Sequence, residues 1–273
     1  MTMRLTAVAL LAATLAPLLA QSPAAPPAFE VASVRRNTSG ATRTSFSLAA
    51  TGTVSITNAE IRVLILQAYQ IDRFRFVTAV DAALLGGPKF DVQAKPPDDA
   101  PPGQQRLMLQ TLLADRFSLR VHRETRPIPV YALTVAREGR LGPDLQPTDQ
   151  DCQVWAAERR KNPQVAEPRD RNGNPLCILG PASLHPGLTV LGNAGPAAGI
   201  ARQMQNFVDR LLVDATGLTG NFAWRLSFAL NPLDSGNPSI YTAVAEQLGL
   251  KLEPRMAPYE VLVVDSVELP TSN

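Results

Sequence analysis

One stretch of this chain is written twice. Sliding residues 108–135 forward by 131 positions, without a gap, sets Leu109 on Ile240, Thr111 on Thr242, Leu113 on Val244, Ala114 on Ala245 and Asp115 on Glu246. The match runs on through Phe117 on Leu248, Leu119 on Leu250, Arg120 on Lys251 and Val121 on Leu252. It then reaches Pro127 on Pro258, Val130 on Val261 and Leu133 on Val264. Apolar positions fall on apolar positions and a turn proline falls on a turn proline. Self-similarity at a fixed offset is the mark of a repeated structural unit. Such a chain is expected to fold as two related units.

The earlier parts of each half correspond with small shifts. Phe90-Asp91-Val92 resembles Phe222-Ala223-Trp224, each preceded by glycines, and Asn58-Ala59 resembles Asn193-Ala194. Ile61, Ile65 and Tyr69 match Ile200, Met204 and Val208. Ile200, Met204, Phe207, Val208 and Leu211 share one helical face, and Leu109, Leu112, Leu113 and Arg116-Phe117 give a second helix in the first half. Residues 261–264 form an apolar run of strand length, expected to be buried on both faces. Phe29, Val31 and Val34 suggest a leading strand, and 37–52 reads as a hairpin or a mobile loop. The fold class is therefore α+β, with two strand-helix-strand-helix-strand-strand modules formed by internal duplication, their small mixed sheets packed by helices.

The ends and the middle have their own character. Arg4, an apolar run from Leu5 to Leu19 and the small Ala20 read as a secretory signal peptide over 1–20, with an uncleaved anchor as the alternative. A Pro/Ala-rich leader follows at 21–28, the first module at 29–136, a connector at 137–187, the second module at 188–268 and a tail at 269–273. After the signal no stretch reaches spanning length. Regular pattern vanishes in the connector, which holds several of the 24 prolines, nearly twice the usual ~5%. It also holds Cys152 and Cys177. Export places these in an oxidising compartment, where an even count suggests one disulfide. It would close a loop of about 26 residues and stabilise by roughly 3.5 kcal/mol on a chain-entropy argument. Two unpaired thiols are the alternative.

Charge excludes one class of partner. With 26 basic and 24 acidic residues the formal charge is +2, too small for electrostatic nucleic-acid binding. No catalytic, cofactor-binding or metal-binding residue is assigned. HExxH is absent, GxSxG and SxxK are absent, and the four lysines (Lys89, Lys95, Lys161, Lys251) belong to no nucleophile motif. Asp98-Asp99, among prolines, reads as a solvated loop. The glycine-punctuated 214–220 segment lacks the lysine of a phosphate loop and reads as a tight turn. Arg35-Arg36 and Arg73-x-Arg75 read as dispersed surface charge. His122, followed by Glu124 on a predicted strand, is the one speculative site: a general base or metal ligand, or else a strand-edge polar residue paired with Glu124. His185, in a turn context, is given no role.

Several ordered motifs carry a family resemblance. They are Phe29-Glu30-Val31-Ala32-Ser33-Val34, Leu112-Leu113-Ala114-Asp115-Arg116-Phe117, His122-Arg123-Glu124-Thr125 and Pro129-Val130-Tyr131-Ala132-Leu133 in the first half. In the second half they are Val213-Asp214-x-Thr216-Gly217-Leu218-x-Gly220 and 247–253. Together they resemble a family of exported, soil-associated acidobacterial proteins of unknown function. The resemblance implies export and transfers no catalytic residue. In some relatives a similar domain follows a membrane metallopeptidase resembling the BlaR type, a part this sequence does not show. Each half also looks loosely like the short N-terminal domain of secretins and TonB-dependent receptors, a likeness of element order only. The expectation is an exported, periplasmic or secreted, non-catalytic binding module without cofactor. Its partner would be an unidentified envelope protein or ligand, with a groove between the halves as the natural site. The alternatives are a cell-envelope hydrolase with a site near His122, or a sensor domain partnering a membrane metallopeptidase.

Overall fold

The computed structural model of the chain describes residues 25–49, 51–170, 172–178, 182–185, 187–231 and 236–270. The expected signal segment and the end of the tail lie outside the described residues. Among the described residues no helix is long and apolar enough to cross a membrane.

The first half runs β1 (Val31–Arg36), β2 (Ser45–Leu48), β3 (Val54–Glu60), α1 (Ile61–Tyr69), β4 (Phe76–Thr78), α2 (Ala82–Gly86), β5 (Lys89–Lys95), α3 (Gln105–Phe117) and β6 (Arg120–Val135). The second runs β7 (Leu145–Pro147), α4 (Cys152–Lys161), β8 (Ala182–His185), β9 (Leu188–Pro196), α5 (Gly199–Met204), β10 (Leu211–Asp214), β11 (Asn221–Phe228), α6 (Ile240–Ala243) and β12 (Leu250–Ser266). Three four-stranded sheets result, in the orders β1-β5-β3-β2, β7-β11-β9-β8 and β10-β6-β12-β4. The protein is a mixed α+β structure of small sheets packed by helices.

Local sequence explains the elements. In α1 the buried Ile61, Leu64, Ile65 and Ala68 make one apolar stripe, and α3 buries Met108, Leu109, Leu112, Leu113 and Phe117 the same way. Strand β11 alternates strictly, with Phe222, Trp224, Leu226 and Phe228 buried. The expected helix over 200–211 is cut short: α5 ends at Met204, a 3-10 turn covers Gln205–Phe207, and Leu211 begins β10. The Gln205 side chain fixes the change, donating to Arg210 O and accepting from Leu212 N. The 214–220 segment is the expected turn: Asp214 accepts from Thr216 N, and Gly217 and Gly220 have positive φ.

The connector is more regular than its composition suggests. It contributes helix α4 and the strands β7 and β8, which flank β11 and β9. Its start docks on the turn Val244–Leu248 that continues α6 (the two together are the α6 segment), where Gly142 N donates to Leu248 O and Asp144 N to Gln247 O. Gly249 sits there at φ 67°, and a Cβ on it would fall 2.4 Å from Gly142 N. That close backbone contact requires glycine.

The centre of the molecule is the antiparallel ladder of β6 with β12, from Leu250 opposite Val135 to Ser266 opposite Arg120. Proline has no N–H to give a ladder, so the pairs Pro127–Pro258, Pro129–Met256 and Tyr131–Pro254 occupy its non-hydrogen-bonded positions. Each half then lends a short strand to the other half's long one. β4 pairs in parallel with β12 (Phe76–Leu262, Val77–Val263, Thr78–Val264), and β10 with β6 (Leu212–Tyr131, Val213–Ala132, Asp214–Leu133).

Two cores pack on one face of this central sheet. The first takes Leu262 and Val264 of β12 together with β3, α1, β5 and α3. The second takes Leu133 of β6 with α5, β11 and the α6 segment. Each core thus borrows side chains from the other half. A smaller cluster around Ile128, Val130 and Val261 lies on the opposite face. Arg73 and Arg75, read as surface charge, instead clamp the halves: Arg73 donates to Val208 O, and Arg75 to Glu260 O.

The ladder supplies its own internal control. Leu133 is fully buried and Met256 is 65% exposed. Leu133→Ala is expected to lower unfolding stability by about 2–5 kcal/mol and Met256→Ala by less than about 0.5 kcal/mol. Denaturant unfolding of both variants checks this.

Candidate functional site

Three regions carry polar side chains that bear on function: the outer face of the β7-β11-β9-β8 sheet, the turn at Asp170, and the surroundings of His122.

The outer face of the sheet is built for a cover. Its outward positions Gly192, Ala194 and Ala223 are small and apolar, and a Cβ on Gly192 would approach Ile178 Cδ1 to 3.1 Å. Cys152 and Cys177 form the expected disulfide, which packs with Leu176, Ala194, Ala223 and Trp155. Ala194 N donates to Cys152 Sγ and Ile178 N to Gly192 O, so both arms of the bridge are tied to β9. Asp151 caps α4, accepting from Gln153 N and Val154 N. The sheet of the first half carries polar side chains on β3 and β5 instead. There Gln93 bonds Ser55, while Asp91 accepts from Asn37 Nδ2 and Asn58 N.

Between α4 and α5 this cover leaves a cleft of about 860 Å³. Its floor is apolar, made by the disulfide, Ile178, Leu191 and Phe207. Its polar lining is two guanidiniums, Arg160 and Arg202, and four amides, Gln153, Asn193, Gln203 and Asn206. No carboxylate is among the described lining residues. A second hollow of about 580 Å³ shares Ala156, Arg160 and Cys177 with the cleft and is bordered by Trp155, Arg159 and Glu167. Trp155 is held there by its bond to Ala166 O, with Arg159 stacked 5.2 Å from its ring.

A smaller cavity, about 330 Å³, opens beside Arg225 and the 169–176 turn. It mixes Arg169 and Arg225 with Asp144 and Asp170, so its charges offset. Asp170 shapes the turn, accepting from Asn172 N, Asn174 N and Asn174 Nδ2. Burial pushes its pKa up, but the Asn174 and Asn172 hydrogen bonds and the nearby Arg225 charge bring it below the ordinary value. The guanidiniums are engaged too, Arg169 with Gly173 O and Arg225 with Pro175 O.

His122 lies away from all these cavities, on the stretch of β6 that β10 does not cover. Its Nδ1 is 3.0 Å from Asp265, and its Nε2 is 3.9 Å from Glu124. Glu124 in turn accepts from Arg126 Nε. The ladder slips between Val264 and Ser266, leaving Asp265 as the extra residue of a bulge, and that re-aims its carboxylate at the ring. The Asp265 hydrogen bond and the charges of Asp265 and Glu124 raise the His122 pKa, outweighing desolvation and Arg126. Both ring nitrogens thus face carboxylates, and the side chain is about half exposed. The sequence pointed to Glu124 as the partner. Asp265, 143 residues away, is the closer one. Apart from Asn193, which enters only through the offset match with Asn58, none of the cleft's polar residues carries a signal in the sequence, because they are scattered from Gln153 to Asn206 with no motif spacing.

The structure defines a class: an α+β protein of two interlocked halves, the second carrying a disulfide-braced cover and a cleft beside it. The chain belongs to the DUF3738 family, described as proteins of unknown function, whose match spans residues 62–267. No curated protein and no solved structure matches it.

Two measurements follow from this geometry. A histidine with a raised folded pKa adds stability below its unfolded pKa of about 6.5, and that contribution is lost as pH rises through the folded value. NMR titration should place His122 above 6.5 in the wild type and lower it in Asp265→Asn. An unchanged value would remove Asp265 as the cause. Replacing both cysteines by serine should cost about 2–5 kcal/mol in denaturant unfolding.

Proposed function

We propose that the protein is an exported, non-catalytic binding module made of two copies of one unit, with its ligand held in the cleft beside α4. The observation that carries this reading is the cleft itself. It is the largest of the cavities described above, and it combines an apolar floor with unengaged polar groups, the usual make-up of a small-molecule site. It lies within the second half, between α4 on the braced face of the sheet and Leu191, Asn193 and α5 on the other side, and not between the halves as the sequence suggested.

The duplication reading draws on shared element order and shared pairing. β5, β3, β1 and β2 occupy the places of β11, β9, β7 and β8 in their sheets. Pro127 and Pro258, matched in the sequence, also face each other across the ladder. The copies differ at one loop: α4 and the disulfide stand between β7 and β8, where the first half has only residues 37–44 between β1 and β2. The cleft is a product of that difference. Export draws on the signal-like first 20 residues and on the disulfide, which persists in oxidising compartments. A hydrolase at His122 gains no support, since His122 lines none of the cavities described above.

The binding site is testable without knowing the ligand. Ala156 lines the cleft from the half-exposed side of α4, so Ala156→Trp fills space without disturbing a core. Thermal shift across a panel of small anions, cations, sugars and amphiphiles should find a class that raises the wild-type Tm but not that of Ala156→Trp. Identical responses throughout would count against the site. For export, the mass of protein recovered from the periplasm of an expressing bacterium should lack about 20 N-terminal residues.

A further inference from the structure

Some cations elsewhere on the described surface are paired with carboxylates. Arg123 bonds Glu260, Arg126 bonds Glu124, Lys251 and Arg255 share Glu253, and Lys95 sits 3.0 Å from Asp98. In the small cavity two guanidiniums are matched by Asp144 and Asp170. What sets the cleft apart is convergence without a carboxylate among its described lining residues. Arg160, in the last turn of α4, and Arg202, in that of α5, line one space from two different elements, and neither has an ion pair among the described residues. Their helix-end positions account for a favourable dipole term. That term does not account for two like charges brought to one cleft with no carboxylate in its described lining.

The amides point the same way. In the first half Asn58, matched by sequence to Asn193, uses its side-chain N–H groups on Ala41 O and Arg43 O. Asn193 borders the cleft and has no such bonds among the described residues. Donors and positive charge therefore line a space whose floor is apolar.

We infer that the cleft binds small organic anions with an apolar body, a carboxylate held by Arg160 and Arg202 over a hydrocarbon part resting on Ile178, Leu191 and Phe207. This rests on the reading of the cleft as the binding site and adds the ligand's chemical class. Guanidinium suits a carboxylate because its planar fork offers two parallel N–H donors. The apolar floor favours a hydrocarbon part by removing its surface from water.

The test uses the full mature chain and three probes: decanoate below its micellar concentration, the neutral 1-decanol, and inorganic phosphate. Binding is followed by calorimetry and by the fluorescence of Trp155, which borders the adjoining hollow. Decanoate should bind at least about tenfold more tightly than either other probe. Arg160→Gln and Arg202→Gln should each weaken it by about tenfold, in the range of a hydrogen bond to a charged group. Raising the salt should weaken decanoate and leave decanol unchanged. Equal binding of decanoate and decanol, both abolished in Ala156→Trp, would overturn the anion preference and leave the site standing. Phosphate binding as tight as decanoate would overturn the apolar body. No binding of any probe, or binding indifferent to Ala156→Trp, would overturn both the site and the inference.

Discussion

The long antiparallel pairing of β6 with β12 is the constraint on which the rest depends. It is the longest ladder the two halves share among the described strands, and both cores are hung on it. The exchange of β4 and β10 makes the arrangement mutual. Leu262 and Val264 complete the first core from the second half, and Leu133 completes the second core from the first. The prolines at 127, 129, 254 and 258 are tolerated because each faces away from the partner strand at a position no third strand pairs. They also deny the ribbon's open edges a donor, which protects exposed strand edges from pairing with other chains.

Much of this was legible in residues. The α1 and α3 stripes, the alternation of β11 and the apolar run at 261–264 all carry periodicity strong enough to identify an element. Pro127 and Pro258, which the offset match set on each other, are direct partners across the ladder. What was not legible has identifiable causes. β7 and β8 are three and four residues long, too short for periodicity, and they sit among turn formers. The helix expected over 200–211 stops early because the Gln205 amide holds the following backbone in an extended path. Strand exchange has no local signature at all. A parallel pairing of three residues across nearly 190 positions leaves no mark on composition or spacing.

The site shows the same division. The disulfide followed from counting cysteines in a chain read as exported. Its role did not, because that depends on Gly192, Ala194 and Ala223 being small on the face it covers. The cleft arises where a braced helix meets α5, and its polar residues come from four separate elements. His122 was visible as an unusual residue on a strand, but its nearest carboxylate arrives through a bulge in β12. A bulge changes which way a side chain points without changing the residues around it in sequence.

The central claim is that the halves form one cooperative structure through the ladder. Native-state hydrogen exchange tests it most directly, comparing protected amides of β5 with those of β11 in the wild type and in Val261→Ala, a fully buried position on the ladder. The account predicts that the two sets open with the same free energy and that the substitution lowers both equally. Opening of one strand set at lower free energy, or a loss confined to one half, would contradict it.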